Sequence, residues 1–265
     1  MGVNIVDTTL RDGEQRAGIA LKLAEKVHIA RLLDSLGIYQ IEAGIPAMGG
    51  EEKKSVQKIA ALGLKCRISS WNRLNEGDIE KSMECGAGII HISVPSSDIQ
   101  ITGKLGKTRE WVVDNLRRYT AMCVEKGFEV SIGLEDASRA EMPFILRLAA
   151  SAFAEGVQLV RYADTVGILS RQTVFENIAA IRSALPVEME MHAHNDLGMA
   201  VANSVAAVRA GAVLVDCTVG GIGERAGNCD LLQFIKSARA CLGLCSGFDL
   251  KRVREVQTEI ARIIK

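Results

Sequence analysis

Residues 3–44, VNIVDTTLRDGEQRAGIALKLAEKVHIARLLDSLGIYQIEAG, hold one whole structural unit of this chain and the start of the next. Residues 3–7 are short, apolar and β-branched, the signature of a strand. After a polar turn, Leu23, Val27, Ala30, Leu33 and Leu36 recur at three- and four-residue spacing, which is the period of an amphipathic helix. Gly37 then offers the left-handed residue at which helices commonly stop. A second strand-like run, residues 39–44, follows at once. The unit repeats outward from here. Further strands are expected at residues 65–70, 89–94, 129–134, 159–164, 187–193 and 213–218, while Gly63, Gly86, Gly127, Gly156 and Gly211 close helical runs as Gly37 does. Eight such units in about 240 residues predict an α/β chain folded as a (β/α)8 TIM barrel. The alternative, a doubly wound open sheet, rarely runs to eight regular units, and no GxGxxG follows the first strand.

The last residues differ from this series. In 249–265, Leu250, Val253, Val256, Ile260 and Ile263 share one helical face, which predicts a C-terminal amphipathic helix. The chain therefore divides into a catalytic barrel, residues 1–245, and a helical end, residues 246–265. That end reads either as a cover on the barrel's outside or as the start of a further region that is truncated or separately encoded. Composition narrows the partners. Lys and Arg number 32 and Asp and Glu number 32, so no excess charge argues for nucleic acid or an anionic membrane. No apolar run reaches spanning length, and the opening MGVNIVDTTLRDGEQ lacks the apolar core of a signal peptide. Seven cysteines without paired spacing suggest reduced thiols and a cytoplasmic protein.

In barrels, chemistry gathers at the C-terminal ends of the strands. Polar residues cluster at those ends here: Arg11 and Asp12, Glu42, Trp71-Asn72-Arg73, Glu135 to Arg139, Asp164 and Thr165, His192 and His194, and Glu224 to Asn228. His192 and His194 alternate along a strand and so point to one face. Two imidazoles with the carboxylate of Asp12, and a neutral oxygen from Asn228, suit a divalent ion such as Mg, Mn, Co or Zn. An α-keto acid could chelate such an ion, with Arg11 stabilising the oxyanion formed on its keto carbon. Glu42 and Glu135 would either move a proton or serve as partners of an arginine or of the metal shell. His28 reads as an exposed helical residue, His91 as a barrel-lining one, and Cys217 and Cys229 as small buried hydrophobes. The stretch GKLGK, residues 103–107, lacks the spacing of a phosphate-binding loop, but its lysines could meet an anionic arm such as the phosphates of coenzyme A.

DTTLRDGEQ (7–15), HAHNDLG (192–198) and GIGERAGN (221–228) together resemble the signatures of the metal-dependent barrels that condense an acyl-CoA with an α-keto acid, the isopropylmalate, citramalate and homocitrate synthases. The resemblance runs from Asp7 to about Leu242. Within that family, GIPAMG (44–49), KLG (104–106), EDASR (135–139) and RYADTVG (161–167) are most similar to the homocitrate synthases of nitrogen-fixing bacteria. The resemblance implies that Asp12, His192 and His194 bind the metal, with Asn228 nearby or as a further ligand. It implies that Arg11 polarises the keto oxygen and that Glu135 belongs to the acid/base apparatus. Thr165 would hold the first carboxylate, and Arg139, with Arg73 beside it, the distal carboxylate of 2-oxoglutarate. Gln100 and Ala163 stand where isopropylmalate synthases often carry His and usually carry Pro. Arg139 also occurs in those enzymes and does not settle the acceptor. Acetyl-CoA would be the co-substrate, and homocitrate and coenzyme A the products. A 2-isopropylmalate or citramalate synthase, or a non-catalytic partner subunit, are the alternatives.

The related lyases use a cysteine in the loop at 220–227, and carboxylase-type domains a modified lysine at the strand-six end; this chain has neither. Members of the family also continue past the barrel into a segment carrying a histidine that completes a dimer partner's site, and no SGIHxDG-like stretch occurs here. A homodimer, a second subunit supplying that region, or both are therefore expected, with weak or no condensation by the chain alone.

Overall fold

The computed structural model describes residues 2–264. Eight parallel strands, β1 (Asn4–Asp7), β2 (Gln40–Glu42), β3 (Arg67–Arg73), β4 (Ile89–Pro95), β5 (Glu129–Glu135), β6 (Leu159–Asp164), β7 (Glu188–Ala193) and β8 (Leu214–Cys217), pair in chain order and close on themselves. The last seam sets Asn4 against Leu214 and Asp7 against Cys217. Helices α1 (Leu23–Ser35), α2 (Gly50–Ala60), α3 (Glu76–Met83), α4 (Arg109–Glu125), α5 (Met142–Ala154), α6 (Arg171–Ala184), α7 (Ala200–Arg209) and α8 (Leu231–Leu242) each follow a strand. The expected TIM barrel is the fold. Gly37 (φ 78°) and Gly211 (φ 106°) end α1 and α7 in the left-handed region, which side chains with a Cβ avoid. Strand β3 runs three residues beyond the apolar pattern. Trp71, Asn72 and Arg73 stay extended because His91, Ile92 and Ser93 of β4 pair with them.

Strand alternation separates two interiors. Outward residues such as Ile41, Ile90, Ile132, Val160, Met191 and Val215 join the apolar core between barrel and helices. Facing inward, Val6, Leu159 and Leu214 make a small apolar floor. Above it the lining turns polar: Gln40, Glu42, His91, Ser131, Arg161, Glu190 and Asp216 are all buried. Barrel interiors are usually packed with branched apolar side chains. Here Arg161 organises the middle layer, 2.9 Å from Glu42, 2.9 Å from Glu190 and 3.5 Å from Asp216.

The final helix, α9 (Leu250–Ile263), starts at Asp249, whose side chain accepts from the Lys251 N–H at 2.9 Å. It buries Val253, Val256 and Ile260 and packs on α1, α8 and the turn Val219–Gly221. Across this contact His28, read as simply exposed, lies 2.8 Å from Glu259. Both groups are solvated, so the pair adds little stability. Among the described residues, no helix is long and apolar enough to cross a membrane.

Asp7 supplies a test of the packing. Burial pushes its carboxyl up to about 7, although the Thr9 N–H donates to it at 2.9 Å. The raised value means the folded state favours the protonated form, so this stability is full below about pH 4 and is lost as pH rises through 7. Asp7→Asn keeps an acceptor for Thr9 and removes the titration. We expect the variant to melt higher than wild type at pH 8, with the gap closing toward pH 4; parallel melting profiles would refute it.

Candidate active site

Three loops at the C-terminal ends of the strands build the site. After β1 the chain turns tightly: the N–H groups of Arg11, Asp12 and Gly13 all donate to the Thr8 carbonyl, at 3.1, 2.9 and 3.0 Å. This turn aims Arg11 and Asp12 into the barrel mouth. The Thr9 hydroxyl accepts from the Val219 N–H at 2.9 Å, tying the first loop to the eighth. His192 lies on β7 and His194 just beyond it, bridged to Asn228. Arg225, held at φ 52°, clamps three loops by donating to Asp196 at 2.8 Å, to the Thr165 carbonyl at 2.7 Å and to Glu224 at 2.5 Å.

These loops bring the two ends of the chain together. The Nε2 atoms of His192 and His194 are 3.1 Å apart, and Asp12 Oδ2 is 3.4 and 3.9 Å from them. Asn228 Nδ2 donates to Asp12 Oδ1 at 2.9 Å, while its Oδ1 is buried without a partner. Gly223 makes room for this contact, since a Cβ there would stand 2.1 Å from Asn228 Nδ2. Charge follows the geometry. Burial opposes ionisation of Asp12, yet Arg11 and the two imidazoles hold it well below the usual carboxylate range. Burial also disfavours the charged form of His192, but Asp216 and Asp12 outweigh it and raise the ring to about 10. Burial and the neighbouring His192 drop His194 to about 4. This leaves Asp12 ionised, His192 protonated and His194 neutral, and a bound cation would displace the extra proton of His192.

The other expected site residues divide. Arg11 donates to Asp12 at 2.7 Å and to Glu42 at 2.5 Å, with its guanidinium 5.6 Å from the Trp71 ring centre. Glu42 is wholly buried between Arg11 and Arg161 and does not line the cavity that holds the histidines. Burial alone would raise its carboxyl, but the two guanidiniums keep it below the ordinary range. Of the two roles expected for it, this geometry fits that of an arginine partner, holding Arg11 in place. Thr165 and Glu135 line the metal-side cavity of about 190 Å³, with Arg11, Asp12 and both histidines. Arg73 and Gln100 line a different cavity of about 600 Å³, and Arg73 is gripped by Asp78 at 2.6 and 2.9 Å. Arg139 lines neither; it donates twice to Asp136, both at 2.8 Å. Both guanidiniums expected to meet a substrate carboxylate are thus paired with a nearby aspartate, Arg73 at the end of β3 with Asp78 of α3 and Arg139 with Asp136.

The larger cavity is walled by Trp71, Ser93, Pro95, Leu105 and Trp111, with Lys104 and Lys107 at its edge. Trp71, Ser93 and Glu135 line both cavities, so Glu135 stands where they meet. Its Oε2 accepts from Ser93 at 3.1 Å. Sequence reasoning missed Arg161, Ser93 and Asp216. The available signal was a polar residue at an inward position of an otherwise apolar strand.

A barrel with an Asp-His-His cluster at its C-terminal mouth defines a class, and the comparison with known families agrees. The HMGL-like family model matches residues 2–260, and the chain belongs to that family of enzymes. It is 53% identical to the homocitrate synthase subunit alpha of Clostridium pasteurianum, over all of this chain and 99% of that one. It is 46% identical to 2-isopropylmalate synthase 2 of Caldanaerobacter subterraneus, over 98% of this chain and 67% of the relative. Among solved structures, the hydroxymethylglutaryl-CoA lyase of Pseudomonas aeruginosa superposes with a TM-score of 0.87 at 18% identity, covering 99% of this chain and 93% of the lyase. That last likeness concerns the fold alone.

Proposed function

We propose that this chain carries out a divalent-metal-dependent Claisen-type condensation of acetyl-CoA with 2-oxoglutarate, followed by thioester hydrolysis to homocitrate and coenzyme A. The observation carrying this reading is the pair of cavities joined at Glu135, one holding the Asp12-His192-His194 cluster and the other large enough for a coenzyme arm. The kinship with a homocitrate synthase subunit supports the acceptor.

The residues fit a cation. Two nitrogens each about 2.0–2.1 Å from one ion can stand about 3 Å apart, as these imidazoles do, and the partnerless Asn228 Oδ1 adds an oxygen donor beside them. Once bound, a divalent ion supplies Lewis acidity at the keto group. Arg11, braced by Glu42, donates to the keto oxygen as negative charge develops there. Thr165 holds the keto acid's carboxylate. Glu135 takes a proton from the acetyl methyl group, whose carbon then bonds to the keto carbon as the C=O π pair moves onto the keto oxygen. That oxygen takes up a proton to become the product hydroxyl. Water cleaves the thioester, and coenzyme A leaves. Lys104 and Lys107 face its phosphates.

We further propose that a second subunit completes the enzyme in the cytoplasm. Met48, Ile99, Leu105, Ile168, Leu197 and Met199 are exposed on the loops around the mouth, an apolar rim suited to being covered. The relative matched end to end is itself a subunit alpha. The free cysteines, unpaired even where Cys217 and Cys229 lie 3.9 Å apart, suit a reducing compartment.

The test is release of free coenzyme A by metal-loaded protein with 2-oxoglutarate, 2-oxoisovalerate or pyruvate, alone and with its co-purified partner. The largest kcat/KM should belong to 2-oxoglutarate, and the partner should raise it. A larger value for either smaller acid would assign the chain to isopropylmalate or citramalate synthesis, and robust turnover alone would remove the partner. Because Asp136 occupies Arg139, Arg139→Ala should change all three acids alike; a loss confined to 2-oxoglutarate would return Arg139 to the acceptor site.

A further inference from the structure

Asp216 lies on β8 at the inward position between Leu214 and Thr218, fully enclosed beneath the metal-side cavity. Its nearest contact is His192: Oδ2 is 2.8 Å from Nδ1. The two histidine rings are set edge to face at 83°, which turns both Nε2 atoms toward Asp12. Only one of them is anchored from behind. The Nδ1 of His194 is buried without a partner, whereas that of His192 has a carboxylate.

Charge balance for Arg161 does not account for Asp216. Arg161 is already 2.9 Å from both Glu42 and Glu190, and Asp216 is the most distant of its three acids at 3.5 Å. The short contact points the other way, to the imidazole. From Asp216 the contacts continue through Arg161 and Glu42 to Arg11, so one buried chain of charges reaches both the ligand set and the group facing the keto oxygen.

We propose that Asp216 is a positioning residue that keeps the proton of His192 on Nδ1 and its Nε2 free and aimed at the cation; this rests on the metal site proposed above. A neutral imidazole presents one donor nitrogen and one acceptor nitrogen, and the partner of the first decides which is offered to a metal. Without Asp216, His192 can flip or take the other tautomer. The site would then keep its ligands and lose their arrangement.

The test compares wild type with Asp216→Ala and Asp216→Asn by calorimetric titration of Mn²⁺ and by ¹⁵N NMR of histidine-labelled protein, which has only four histidines to assign. Loss of such a partner typically weakens metal binding about 10–100-fold, and this is expected for D216A, together with loss of the His192 Nδ1–H signal. D216N keeps an oxygen that accepts from Nδ1 and should recover part of the affinity. A merely structural role would lower the melting temperature of both variants while leaving the Kd of the folded protein and the tautomer unchanged, and that result overturns the proposal. If D216A does not fold, the isosteric D216N decides: a Kd equal to wild type overturns it. Absence of Mn²⁺ binding by wild type would instead overturn the metal site, and this inference with it.

Discussion

Asp12→Ala should abolish Mn²⁺ or Zn²⁺ binding and, with it, condensation. Asp12 is the only carboxylate in the cluster with His192 and His194, and Arg11 and the imidazoles keep it ionised despite burial. Removing it leaves two neutral nitrogens for a cation and strips the charge that offsets the ion's own. A cation contributes several kcal/mol to such a reaction, so turnover should fall roughly 10²–10⁴-fold. His192→Ala should behave alike. Calorimetry of metal binding, with circular dichroism to confirm folding, checks both. Chelation of wild type followed by metal return should reproduce and then reverse the loss. Folded Asp12→Ala with normal metal affinity would remove the proposed centre.

Arg11→Ala should fail for a different reason and leave a different signature. Its guanidinium is the cation poised over the metal-side cavity, and loss of one oxyanion partner costs about 10²–10³ in kcat. Metal binding should persist, because Asp12 and both histidines remain, and this separates the variant from Asp12→Ala. Stability should suffer as well. Glu42 is wholly buried and would keep Arg161 alone, and breaking a buried pair costs about 3–5 kcal/mol. Arg11→Lys should recover part of the stability through its charge but little of the rate, since an ammonium cannot reach Glu42 and Asp12 together as the planar fork does. Retained kcat in folded Arg11→Ala would end the oxyanion role.

The candidate site was legible in unequal parts. Asp12, His192 and His194 carry local signatures, a polar turn after a strand and a two-residue alternation, and the barrel closes these onto one mouth. Glu135 could be singled out at a strand end, but its place at the junction of two cavities could not, because a junction depends on the walls that neighbouring loops contribute. For Glu42 the sequence left a proton-moving role and an arginine-partner role open; its enclosure by Arg11 and Arg161 is what favours the second. Arg73 and Arg139 have free charges on paper, yet Asp78 of α3 and Asp136 pair with them close by in the chain.

Periodicity is a local property, written into each few residues by the helical and strand repeats, so eight strand-helix units and their barrel closure followed from the chain itself. Partnership between charges is not local. Whether a guanidinium meets a substrate, an aspartate three residues back or a glutamate on the next strand depends on strand register and loop conformation. Those are settled by packing over the whole barrel, and that is why Asp216 came to stand behind His192 without any motif announcing it.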